Sequence, residues 1–257
     1  MDIASIGGIA LAIIGILAGM MIEGGSIAQI TQPTAAMIVF GGTLGAVMLQ
    51  FPMNILLAAF KAILKVFLHK SSNGEATLAL IVSFANKARR SGIVSLDADL
   101  PTIADPFLRQ ALMLAVDGTE PSEVRKIMQL ELDNKSEIEE KIPAVFEAAG
   151  GYSPTVGIIG AVLGLIQVMK NLSNIDEVGR GIAVAFVATI YGVGAANLIL
   201  LPSAGKLKLR IQEERVHKEM MLEGIVSILE GMNPRMIEIK LQSFLAEDKN
   251  RKAVARA

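Results

Sequence analysis

Thr189 and Tyr191 lie close together inside an apolar stretch. With Thr155, Gln167 and Asn197 they are the few polar side chains of the last two such stretches. A hydroxyl in a bilayer either bonds a carbonyl of its own helix four residues back or lines a water-filled path, and Thr189 stands open to both readings. The missing chemistry is as informative. No Asp, Glu, Lys, Arg or His falls in the interior of any of four apolar stretches, whereas ion pumps and transporters place an ionisable group at that depth. If protons cross here, a second chain supplies the carboxylate; otherwise the chain is a membrane anchor.

Two further residue sets bear on function. Pro154 and Pro202 stand at the start of the third stretch and the end of the fourth, where each removes an amide hydrogen, so both are expected to kink or terminate the helix. They read either as helix-end punctuation or as a hinge for conformational coupling. The segment from Lys87 to Asp99 places Lys87, Arg89 and Arg90 on one side of Gly92 and Asp97 and Asp99 on the other. It is either a solvated surface or an electrostatic contact for a charged protein partner.

The elements that must position these residues follow from hydropathy. A bilayer core of ~30 Å needs roughly 20 helical residues, and stretches of about that length occur at about 3–22, 34–53, 154–171 and 181–202. Short turns join the first pair and the last pair. Three small-residue spacings, Gly15 with Gly19, Gly41 with Gly45 and Gly160 with Gly164, allow close helix approach within the chain or between copies. The early turn has no Lys or Arg and the late one only Lys170 and Arg180, so both large polar segments and both termini are expected on the cytoplasmic side. An acidic second residue and the lack of a cleavage pattern make the first stretch an uncleaved membrane helix.

The polar segment 54–153 reads as helical, beginning with an amphipathic continuation of the second stretch to His69. Helices are expected over 75–91, 107–117 and, strongly charged, 121–148, then from Pro202 to Glu230 and once more after Pro234. No strand is needed, so the fold class is all-α. The domains are a transmembrane hairpin (1–53), a cytoplasmic helical insert (54–153), a second hairpin (154–202) and cytoplasmic C-terminal helices (203–257).

Composition narrows the function. The 257 residues are 52% hydrophobic, gathered in blocks. The balance of 24 basic and 25 acidic residues gives no field to recruit nucleic acid. With no cysteine, thiol catalysis, zinc fingers and iron–sulfur ligation are excluded, two histidines do not build a metal site by themselves, and no cofactor is expected. No nucleophile–base pair or phosphate loop marks an enzyme. A self-contained transporter would need an intramembrane charge or a broken helix at the midplane, and neither is present.

The strings Pro154-Thr155-Val156-Gly157-Ile158-Ile159-Gly160-Ala161-Val162-Leu163-Gly164 and Ala188-Thr189-Ile190-Tyr191-Gly192, with the two-plus-two arrangement of spans, resemble the MotA/PomA flagellar stator subunits of the MotA/TolQ/ExbB proton-channel superfamily. The resemblance covers nearly the whole chain. It implies a bacterial inner-membrane homopentamer around two copies of a single-span MotB/PomB-type partner, whose membrane aspartate carries the ion. It implies, too, an insert that pushes the rotor protein FliG through charged contacts. On the matching positions it assigns rotor contact to Arg89 and Asp97, with Arg90 adjacent, coupling to Pro154 and Pro202, and the ion pathway to Thr189, with Thr155 and Tyr191 in the same matched strings. Asp97 is one methylene shorter than the glutamate usual there. Ala161 stands where sodium-driven relatives have a second threonine. A methyl group cannot ligate Na⁺, so the resemblance favours protons. TolQ/ExbB-type subunits energising outer-membrane processes are the nearest alternative, but one span before the insert is expected of them and this chain has two.

Overall fold

The computed structural model describes the backbone of residues 3–68 and 73–254 and the side chains of 4–63 and 73–245. Among the described residues every regular element is helical, in two compact units: 3–68 with 140–208, and 73–139 with 209–254. Four of the described helices are long and apolar enough to cross a membrane.

In the membrane unit the first span is Ile3–Ile22. A 3₁₀ turn, Ile27–Ile30, leads to the second span over 33–50, which opens with Pro33 in its first turn, where a missing amide hydrogen costs nothing. The second span carries a π turn at Met37–Gly41. It does not run on into the segment after it as one helix: Phe51 is extended (φ −121°, ψ 142°) and a new helix, Met53–Leu68, begins after Pro52. The cause is local, since a proline ring crowds the preceding residue out of the α region. Leu56, Ala59 and Ala62 of the new helix are buried with Val47, Val145, Phe146, Ala204 and Leu207, so this helix belongs to the membrane unit.

Neither Pro154 nor Pro202 terminates its helix, which corrects the expectation of a helix end at each. The third span is the last part of one helix, Pro121–Lys170, with both Pro143 and Pro154 inside it. The fourth lies in an unbroken helical run that starts at Ile175, passes a π turn at Ala195–Leu200 and continues as Leu201–Leu229. An interior proline costs about 3 kcal/mol, and the two sites offset it differently. Around Pro154 the third span is pressed backbone to backbone against the fourth, and that contact holds the chain helical through the proline. A Cβ added to Gly192 would lie 2.6 Å from the Ser153 carbonyl oxygen and 3.3 Å from Pro154 Cα. At Pro202 the π turn directly upstream widens the helix, with Leu201 N–H bonding to the Ala196 carbonyl, and gives the ring room.

The second unit has its own core. Ile81, Leu96, Leu108, Leu112, Met128 and Ile225 are all buried. Helix Gly74–Ser91 is capped by the Asn73 side chain, which accepts from Ala76 N–H at 3.2 Å, and ends at Gly92, whose φ of 80° suits glycine. The segment after it, which lies between the helices expected over 75–91 and 107–117, is a run of 3₁₀ turns, Ile93–Thr102, followed by helix Pro106–Val116 capped by Asp105.

Candidate functional site

Glycines set the crossing of the third and fourth spans. A Cβ on Gly157 would fall 2.9 Å from the Ala188 carbonyl oxygen, and one on Gly164 would fall 2.7 Å from that of Gly181. Gly181 and Gly192 meet the third span in the same way. Of the three small-residue pairs, only Gly160 and Gly164 serve contacts within the chain; nothing lies within 4 Å of a Cβ at Gly15, Gly19, Gly41 or Gly45. Gly192, which no pair singled out, makes the closest backbone approach of the stripe.

The crossing holds several of the residues marked for the ion pathway. Thr189 Cα lies 3.5 Å from a Cβ built on Gly157. Its hydroxyl donates to the Ala185 carbonyl at 3.2 Å, the i−4 bond, so in this state the threonine satisfies itself within its helix. Thr155 is exposed and donates to the Tyr152 carbonyl at 2.7 Å. Ala161, half-buried, follows Gly157 by one helical turn. Tyr191 is tied to the segment before the second span. Its hydroxyl donates to the Ile30 carbonyl at 2.6 Å and accepts from Gln32 N–H at 3.3 Å, while its ring stacks with Phe40 at 6.0 Å between centroids. That long-range tie leaves no mark in sequence, because Ile30 and Gln32 contribute backbone groups. Pro154 sits at the crossing and Pro202, exposed, lies beyond it.

The charged segment in the other unit sorts itself. Lys87 and Asp99 form an ion pair at 2.6 Å across the Gly92 turn. Arg89, Arg90 and Asp97 are exposed, and no hydrogen bond or ion pair engages them among the described residues. The two arginines also occupy the last turn of their helix, where positive charge complements the dipole. Elsewhere in this unit several charges are paired. Arg125 grips Glu223 with two hydrogen bonds of 2.6 and 3.2 Å, and Lys240 reaches the same carboxylate. The hydrogen bond from Arg125, against the opposing effect of burial and with help from Lys240, holds the Glu223 carboxyl below its usual range. Burial pushes the Glu214 carboxyl up, but Lys218 at 2.7 Å and Lys135 at 3.3 Å outweigh it and the net shift is downward.

Four membrane spans without an interior charge, the third and fourth crossed on glycines, and a second helical unit bearing three unengaged exposed charges define a membrane channel or energiser subunit without an ionisable group of its own. Residues 99–220 match the sequence model of the MotA/TolQ/ExbB proton channel family, and residues 6–92 match that of the motility protein A N-terminal region. The chain is 36% identical to motility protein A of Bacillus subtilis over 95% of its length and 91% of the relative's. It is 32% identical to chemotaxis protein PomA of Vibrio alginolyticus over 97% of both. A solved structure of C. jejuni MotAB superposes with a TM-score of 0.90 at 32% identity, covering 95% of this chain and 96% of that one. The chain belongs to the motility protein A family, the flagellar-motor stator subunits of the MotA/TolQ/ExbB group. The match to the N-terminal region and the motility relatives set this reading above a TolQ/ExbB-type energiser.

Proposed function

We propose that this subunit, as a pentamer around two copies of a MotB-type single-span chain in the bacterial inner membrane, forms a proton channel that drives rotation of the rotor. One observation carries the reading. The interiors of all four spans lack an ionisable side chain, so the carboxylate that carries the ion must enter with the partner. The solved C. jejuni relative is a MotAB pair, which supports such a partner. Protonation of the partner's aspartate beside Thr189 removes a charge held in low dielectric and releases its electrostatic hold, so the pentamer steps. Pro154 and Pro202 transmit the step. Arg89, Arg90 and Asp97, on the cytoplasmic side with both termini, push against FliG. Ala161 in place of an oxygen ligand favours H⁺ over Na⁺.

The test uses a host with no other stator genes. Thr189→Ala and Arg89→Glu are each expected to leave filaments assembled but paralyse or slow swimming, with wild-type speed indifferent to sodium and abolished by a protonophore. Swimming untouched by both variants overturns the assigned roles, and speed that tracks sodium overturns the reading of Ala161.

A further inference from the structure

A cavity of about 340 Å³ opens in the membrane unit where the second span, helix Met53–Leu68 and the third and fourth spans meet. Its mouth is formed by Phe40, Leu44, Phe60 and Ile199, all exposed, and its floor by the buried Val47, Ala59 and Phe146. Both π turns border it, through Phe40 on one side and Ala195, Ile199 and Leu200 on the other. Each π turn widens its helix, so the space belongs to the backbone geometry and is not a chance gap between side chains. The two polar residues in the wall, Thr43 and Ser153, have hydroxyl oxygens closed off from solvent and without a partner. The surface offered to a guest is therefore hydrocarbon.

Water has no partners in such a cavity, and apolar cavities less than half this size stay dry and take up small hydrocarbons. The volume falls in the range that holds small-molecule ligands. The medium at the mouth of a membrane-spanning unit is itself acyl chain. Lys61, exposed, is the residue next to Phe60 on the same helix, about 100° further round it, and its long side chain carries the cation nearest in sequence to the mouth. The geometry points to a binding site for one acyl chain of an anionic phospholipid, its tail in the cavity and its phosphate on Lys61. The site does not depend on the torque reading, because it requires only that the unit lie in a bilayer. Its occupant fills the space left by the two π turns and so bears on whether they can tighten to α-helix.

The test is photolabelling of the full chain in nanodiscs containing phosphatidylglycerol with a diazirine on its acyl chain, adducts being mapped by mass spectrometry. Label in peptides spanning 40–60 and 145–153 is expected to exceed that on the lipid-facing first span by roughly tenfold, read as a ratio of occupancies. Ala149→Phe and, independently, Ala59→Phe fill the cavity and are expected to bring the ratio to about one, with folding checked by thermal unfolding. Lys61→Gln is expected to lower labelling by phosphatidylglycerol and leave labelling by the matching phosphatidylcholine unchanged. Equal labelling of the cavity and the first span, or labelling unmoved by both filling variants, overturns the proposal. So does an unlabelled cavity with disulfide cross-linking between copies carrying Phe60→Cys, a clean readout in a chain without cysteine, because a second copy would then occupy the site.

Discussion

Gly192 and Gly194 lie two residues apart on one helix, and only the first meets another backbone. A Cβ on Gly192 falls 2.6 Å from the Ser153 carbonyl oxygen, where ordinary contact begins at 3.4 Å, so the third and fourth spans must part by about 0.8 Å. A Cβ on Gly194 has nothing within 4 Å. Alanine raises helix propensity by a similar amount at both sites, so that contribution cancels in the comparison. What remains is the overpacking cost of roughly 1–3 kcal/mol, set toward its upper end because the obstacle is backbone. For a chain of this size, ~2–4 °C per kcal/mol turns that into an unfolding midpoint lower for Gly192→Ala than for Gly194→Ala by roughly 3–10 °C. Thermal unfolding of the two variants in one detergent measures the difference. Equal midpoints would refute the crossing as described, and a higher midpoint for Gly192→Ala would reverse it.

Two more outcomes follow from the charges and from Tyr191. Glu223 is held below the usual carboxylate range by Arg125 and Lys240, so its contribution to stability is present above the unfolded value of about 4.3 and is lost as pH falls through the lower folded value. Unfolding midpoints measured downward from pH 5 are expected to fall less steeply in Glu223→Gln than in the wild type, and parallel curves would count against the clamp. Tyr191→Phe removes the hydroxyl shared by Ile30 and Gln32 while keeping the ring against Phe40. A loss of about 1 kcal/mol is expected, with earlier amide exchange in 27–32, and unchanged exchange there would show the tie to be idle.

Much of this architecture was legible because bilayers demand long apolar helices, which show plainly in sequence. The first two spans, the end of the third, the Gly92 stop and the helix near 107–117 all stand within a few residues of their expected places, whereas the helices of the third and fourth spans run on past 154 and 202. The prolines were less legible. Propensity places a break at Pro154, but the contact that overrides it is made by Gly192, almost forty residues on. Pro52 was the stronger signal, because a helix start after an extended residue is a local matter. In the charged segment, sequence marks Lys87, Arg89, Arg90, Asp97 and Asp99 alike; only the fold of the Gly92 turn brings Lys87 to Asp99 and leaves the other three unengaged. The π turns carry no sequence pattern, and neither does the cavity between them.

The π turn at Ala195–Leu200 also has a bearing on how this family can change length. An α-helix rotates by about 100° per residue, so deleting a residue from the middle of a packed span turns everything downstream onto the wrong face. A π turn already holds one residue more than the α-helical turn it replaces. Removing Ala195 or Ala196 would let this turn close to α geometry with the faces on either side still in register, whereas a deletion near Ala185 would swing the glycine stripe away from its partner. The gene therefore has a short window in its fourth span where a lost codon is a change of shape and not a loss of fold.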